Sequence, residues 1–240
     1  MKKRFVTFVL VVCMMCTITV PAFAAEAEYD KMENDIVPVD DIAIDVAALV
    51  DADINKASVG NDVYEFEAAQ QVEVNEKDGK EVVVCTSTKI LAVGAEEAQK
   101  VEKNIQKLQS RRGTTGGTVS GSYLGGSATL QCTTSIWTTV ISGVTYYRIL
   151  NMSTKASVSS GVTYHNVRVD FFQKGYNTAG KVVDQKAPGY FSVRYPTLAT
   201  APETWGEIRE TYDADIGGKY VCELTKSGKT TTVTLNNYYF

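Results

Sequence analysis

The sequence predicts a mainly β protein, a C-terminal antiparallel β-sandwich preceded by a small hairpin-plus-helix unit, on three observations. Beyond residue 127, long β-branched and aromatic runs follow one another with little more than Gly, Ser and Asn between them. Asp78-Gly79 separates two further β-prone segments and supplies the positive φ of a tight hairpin turn. One strong helical pattern interrupts the β-prone runs, from Ala95 to Arg112.

The chain opens with Lys2, Lys3 and Arg4, an apolar run from Phe5 to Val20, and Ala22-Phe23-Ala24. This is the pattern of a secretory signal peptide over residues 1–24. The run is shorter than the ~20 apolar residues of a spanning helix and lacks a basic stop-transfer flank. The expectation is an exported, extracellular protein with no transmembrane anchor once the signal is removed.

Residues 25–60 form an acidic leader, rich in Asp, Glu and Ala and without Phe or Trp, whose composition predicts partial disorder. Within it Ile42, Val46, Leu49 and Val50 follow helical spacing, while Ile42, Ile44 and Val46 also alternate as in a strand; helix is preferred. Asp51, Asp53, Asn55 and Asp62 echo an EF-hand ligand rhythm. Lys56 in place of the turn glycine, and Val59 without a side-chain oxygen, argue for a plain acidic segment.

Residues 61–112 read as the hairpin plus helix. Ala98, Val101, Ile105 and Leu108 lie on one stripe of the helix, Glu96 and Glu97 stand at the positive end of its dipole, and Arg111 and Arg112 at the negative end. The same two arginines offer a trypsin-like processing site, although complementing the helix end is the preferred explanation. Residues 113–127 are rich in Gly, Ser and Thr and read as a flexible linker.

Residues 128–240 then form the sandwich, with strands expected at 128–141, 144–158, 162–173, 189–195, 219–225 and 230–240. Val167, Val169 and Phe171 alternate with Arg168 and Asp170, the mark of a half-buried strand.

Charge divides the exported chain in the same place. Residues 25–110 hold twenty acids and eight bases, whereas 111–240 hold thirteen bases and eight acids. Eleven of the thirteen tyrosines and both tryptophans, Trp137 and Trp205, also fall in the rear part, so the core-building residues are expected there. A net +5 without a dense basic run does not suit nucleic acid.

Cys85, Cys132 and Cys222 survive signal removal. A Cys132–Cys222 disulfide is favoured among the pairs, and three buried free thiols are an equal alternative. Ala128 to Cys132, Thr145 to Arg148 and Gly218 to Cys222 resemble the B, C and F strands of immunoglobulin domains, with Tyr220-Val-Cys222 similar to the tyrosine-corner signature. Tyr146 stands where that family places its core Trp. Taken whole, with its signal peptide, acidic leader and terminal Thr-Val-Thr-Leu-Asn strand, the chain resembles secreted β-rich proteins of Gram-positive bacteria, a likeness that implies no particular chemistry.

Catalysis has little to work with. His165 is the only histidine and lies in a strand-like run, and neither a Cys-x-x-Cys nor a second imidazole is present for zinc. No metal or cofactor is expected. Glu203, Glu207 and Glu210 flank Trp205 and would share one face if Pro202 opened a helical turn, which leaves a carboxylate-dependent glycoside hydrolase as a minor reading.

Tyrosines carry the binding argument, because a flat apolar face with a polar tip stacks on sugars and peptides. Tyr146, Tyr147, Tyr176, Tyr190 and Trp205 are the candidate ligand contacts. The sequence therefore points to a secreted, non-enzymatic binding module for a cell-wall polymer, a glycan or another extracellular ligand. A proprotein that releases a basic effector domain by cleavage near Arg112 is the alternative.

Overall fold

A computed structural model of the chain describes residues 41–50, 56–60, 62–110, 117–190 and 197–240. The chain divides into two compact units, residues 1–34 and 35–240, and every described residue belongs to the second. The signal peptide, residues 25–40 of the leader, most of the Asp51–Asp62 pattern and the Arg111-Arg112 pair lie outside the described residues.

The fold is mainly β and antiparallel, with two helices among the described residues. Its elements are β1 (Ala43–Asp45), α1 (Val46–Val50), β2 (Lys56–Gly60), β3 (Val63–Glu67), β4 (Gln71–Lys77), β5 (Lys80–Val93) and α2 (Ala95–Gln109). There follow β6 (Thr118–Ser120), β7 (Ala128–Ile141), β8 (Val144–Val158), β9 (Val162–Asn177) and β10 (Val182–Tyr190). The last four are β11 (Thr197–Thr200), β12 (Ile208–Arg209), β13 (Asp215–Lys226) and β14 (Lys229–Tyr238).

Three two-residue turns set the registers of the long hairpins. At Asp78-Gly79, Ser142-Gly143 and Ser227-Gly228 both residues have positive φ, from 52° to 79°. That twist matches the flanking strands. The hairpins β4–β5, β7–β8 and β13–β14 follow.

Two layers result. In one, β5 carries β4 and β3 on one side and β7 on the other, and β7 continues to β8. In the second, β9 lies between β10 and β13, and β13 continues to β14. Short β12 pairs with both β8 and β9 and joins the layers at one corner. Leu130, Ile136, Ile149 and Met152 of the first layer and Val169, Phe171, Tyr220 and Leu235 of the second belong to the core between them. A second core forms where α1 and α2 cover the other face of the first layer, joining Leu49, Phe66, Ile90, Val101, Ile105 and Leu124. Burial on both faces explains why Ile90-Leu91-Ala92 is a continuous apolar run rather than an alternating one.

The helix stripe is as expected: Ala98, Val101, Ile105 and Leu108 are its buried residues. Of the described leader residues, 43–45 are strand and 46–50 helix. Ile42 and Ile44 are buried at strand spacing and Val46 and Leu49 in the turn that follows, so both periodicities are real in succession.

The expected partition into front and rear units is corrected by the sheet itself. β5 pairs with β7 over ten consecutive positions, from Val82↔Trp137 to Leu91↔Ala128, so the hairpin belongs to the same sheet as the sandwich. Nor are residues 117–127 a free linker. β6 pairs with β1, and the glycines serve close packing: a Cβ at Gly126 would stand 2.8 Å from Ile90 Cγ2, and one at Gly121 would strike the Thr129 side chain. A chain cut after Arg112 is therefore expected to stay together in native gel filtration and to separate only in denaturant. Separate elution of the two pieces without denaturant would show that the ladder does not hold them.

Residues 182–190 form β10 against β9, so this strand starts before the predicted 189–195, of which 191–195 lie outside the described residues. The immunoglobulin-like B and C segments, β7 and β8, are hairpin neighbours in one sheet, whereas the immunoglobulin arrangement puts them in opposite sheets. Cys85, Cys132 and Cys222 are all buried free thiols, so the Cys132–Cys222 bridge is not formed. Burial pushes the Cys85 thiol up to about 11 and those of Cys132 and Cys222 further still, which leaves all three unreactive at neutral pH.

Candidate functional site

The outer face of the β10–β9–β13–β14 layer holds a shallow groove of about 410 Å³. Its floor follows from three registers. Lys186 of β10 lies opposite Phe172 of β9, Phe172 opposite Gly217 of β13, and Gly217 opposite Tyr238 of β14, which makes one straight row across four strands. Gly217 is what lets the row close. A Cβ there would stand 2.8 Å from Tyr238 Cα and 3.0 Å from its Cδ1, so any side chain would drive a wedge into the aromatic floor. In its absence the rings of Phe172 and Tyr238 meet edge to face, centroids 4.6 Å apart at 74°.

Charged rows flank this aromatic row on both sides, two residues away along each strand and hence on the same face. On one side Asp184, Lys174 and Asp215 are aligned. On the other stand Pro188, Asp170, Lys219 and Asn236. Arg168 Nη2 pairs with Asp170 Oδ2 at 2.9 Å, and Tyr238 donates to Asn236 Oδ1 at 3.3 Å. Burial holds Asp215 above the ordinary carboxylate range although Lys174 and Lys219 pull the other way. Burial, and then the Asp215 charge, raises Tyr238 as well. The groove thus combines an apolar aromatic floor with carboxylate acceptors and ammonium donors at its edges, and it offers no nucleophile–base pair.

The sequence-predicted contacts are dispersed rather than gathered here. Trp205 is buried in the inter-sheet core. Tyr146 is buried too, at 8 % exposure. Tyr147 packs on that core and meets Tyr239 and Phe240, with centroids at 5.5 and 5.0 Å. Tyr176 lies under the Arg209 guanidinium at 5.3 Å. Tyr190 pairs with Arg168 at the end of β10, and its side chain lies outside the described residues.

Nor do the three glutamates form a catalytic set. No helix follows Pro202: the chain turns there, Trp205 points into the core, and Glu207 and Glu210 are separated by strand β12. Glu207 accepts a hydrogen bond from Thr139, while Glu203 and Glu210 are exposed. His165 is a structural imidazole, its Nε2 2.8 Å from Thr225 Oγ1 and its Nδ1 3.5 Å from Glu223. Among the described residues no group of three or more His, Cys, Asp or Glu is placed to hold a metal ion, and no helix is long and apolar enough to cross a membrane.

Sequence reasoning missed Phe172, Asp215 and Lys219. The alternation through Arg168 and Asp170 extends to Phe172 and marks it as outward-facing. Its meeting with Tyr238 across Gly217 depends on pairing that no local pattern announces. Comparison of the chain with protein-family models, curated proteins and solved structures finds no match in any of the three. The site is therefore interpreted from its own geometry.

Proposed function

We propose that the protein is an exported, non-enzymatic binding module whose groove takes a saccharide unit of a cell-envelope or extracellular polymer. The observation that carries this reading is the Phe172–Tyr238 pair, an aromatic floor left open to solvent between two rows of hydrogen-bonding side chains. A sugar ring presents an apolar face edged with hydroxyls. That pattern complements an aromatic surface bordered by Asp170, Asp215 and Lys219. The export signal in residues 1–24 supports the choice of an extracellular ligand.

Binding without turnover agrees with the chemistry at hand, since the carboxylates near the groove are engaged with Arg168 or lie beside Lys174 and Lys219. Release of an effector domain by cleavage at Arg112 fits less well, because the β5–β7 ladder would hold the pieces together.

The test is a pull-down on insoluble cell-wall polysaccharide with soluble-glycan competition. Phe172→Ala removes an outer-face ring and is expected to weaken binding about tenfold, the ~1.4 kcal/mol of one aromatic contact, while the melting temperature changes little. Retention of full binding by both Phe172→Ala and Asp215→Asn would defeat the groove as the binding site.

A further inference from the structure

A second feature of the same outer face extends the groove towards the β7–β8 layer. Trp137 is opposite both Val82 of β5 and Arg148 of β8, and its ring lies between two cations: Lys80 Nζ at 4.4 Å and the Arg148 guanidinium at 4.9 Å from the centroid. Two residues before Arg148, Tyr146 pairs with Arg209 of β12, and Arg209 pairs in turn with Tyr176 of β9, over whose ring it lies. Cross-strand partners share a face, and so do residues two apart on one strand. Trp137, Arg148, Arg209 and Tyr176 consequently form one stripe, with Tyr146, itself buried, in the same row, and Tyr176 joins it to Phe172 four residues earlier on β9.

The cations of this stripe are set against rings rather than carboxylates. Among the described residues Arg168, Lys174, Lys186, Lys226 and Lys229 each have a carboxylate within 4 Å, whereas Lys80, Arg148 and Arg209, like several other lysines, have none and lie instead against aromatic rings. Glu207, two residues before Arg209, is bonded by Thr139. A ring covering the face of a guanidinium leaves its in-plane N–H groups to match a planar carboxylate with two parallel hydrogen bonds, and at Arg209 these must be the two Nη groups, because its Nε is buried.

We infer that this stripe is an anion-reading extension of the groove, and that the ligand is a saccharide chain bearing carboxylates, of uronic-acid type. The inference rests on the groove reading above. Strand geometry places Arg148 and Arg209 about 8 Å apart and Tyr176 about 13 Å from Phe172, so the charges are spaced for successive units of one chain rather than for one multiply charged group. Arg148 and Arg209 take the carboxylates, Trp137 and Tyr176 fix their guanidinium planes, and the Phe172–Tyr238 floor takes a sugar face.

The experiment titrates the full chain with three probes: oligogalacturonate, its uncharged methyl ester, and a poly(glycerol phosphate) chain. The acid form is expected to bind about tenfold tighter than the ester at low salt and to lose that advantage in high salt. Arg148→Gln and Arg209→Gln should each weaken the acid form about fivefold to tenfold and leave the ester unchanged, whereas Phe172→Ala should weaken both. Arg209→Lys, which keeps the charge but not the fork, guards against a folding defect, and its affinity should fall between those of the wild type and Arg209→Gln. Equal binding of acid and ester, unchanged acid binding in both glutamine variants, or preference for the phosphate polymer overturns the inference and leaves the groove standing. Arginine-dependent binding of the acid form that ignores Phe172→Ala would uphold the stripe and remove the groove. No binding of any probe removes both.

Discussion

Replacing Lys89 by Ala is expected to cost about 3–5 kcal/mol of stability, the scale of breaking a buried ion pair by deleting one partner. Lys89 is 3 % exposed, on the inner face of β5. Its ammonium has three protons and three acceptors: Glu65 Oε2 at 2.7 Å, Glu67 Oε1 at 2.7 Å and the Thr234 carbonyl at 2.6 Å. Glu65 and Glu67 sit two residues apart on β3, so both point between the layers, and Thr234 belongs to β14 of the opposite layer. The lysine therefore ties the front of the chain to its last strand.

Removing it strands Glu65, which is only 17 % exposed, whereas Glu67 is 58 % exposed and can turn to water. Most of the loss should accordingly trace to Glu65. Lys89→Met combined with Glu65→Leu is expected to recover the greater part of it, since a matched apolar pair removes the stranded charge. Urea unfolding checks both. A loss below about 1 kcal/mol in Lys89→Ala would mean that the ammonium is no better placed than a surface charge.

The sequence made the hairpins legible because their signals are local. Asp78-Gly79, Ser142-Gly143 and Ser227-Gly228 are turns whose chemistry is complete in two residues, and β7 and β8 begin and end where their flanking turns say. Helix α2 was legible for the same reason, as four buried residues on one stripe. The domain boundary was misread because glycine has two uses. Gly121 and Gly126 are small so that Thr129 and Ile90 can approach, yet by composition they look like a hinge. Charge segregation misled in the same way: β3 and β5 of the acidic front part are not a separate unit but supply Glu65, Glu67 and Lys89 to the common sandwich.

Which tyrosines face outward could not be read, because strand parity is reset by bulges. The β7–β8 pairing shifts between Ser135 and Ile136, and the β9–β13 pairing shifts between Val221 and Glu223. Each slip exchanges inner and outer faces for every residue beyond it. Tyr146 and Tyr147 illustrate the outcome, one buried in the row of Arg209 and the other packed on the inter-sheet core. The groove needs three such registers at once, and it became visible only when the strands were paired.

Asn237→Ala should destabilise the protein by about 3 kcal/mol at every pH, and Asn237→Asp by more, with a deficit that grows as pH rises. Asn237 is 1 % exposed on β14 and spans the layers. Its Oδ1 accepts from Gln70 Nε2 at 2.7 Å and from Ser87 Oγ at 2.9 Å, while its Nδ2 donates to the Cys85 carbonyl at 2.9 Å and to Thr134 Oγ1 at 2.8 Å. The alanine variant leaves Ser87, the Cys85 carbonyl and Thr134 short of that partner, whereas exposed Gln70 keeps the Tyr238 carbonyl, and the loss is independent of pH. In the aspartate variant an oxygen replaces Nδ2 and faces the Cys85 carbonyl, so the ionised form is repelled as well as desolvated. Its folded-state pKa must then lie above the ~3.9 of the unfolded chain. A carboxyl raised in the folded state destabilises progressively as pH climbs through and beyond the unfolded value, and the penalty fades below it, where both states are protonated. Thermal melts of Asn237→Asp between pH 3 and pH 8, compared with wild type at each pH, should show the deficit widening with pH. A deficit that stays constant would mean that the position is hydrated, and that the polar contacts between the layers do not hold the front strands to β14.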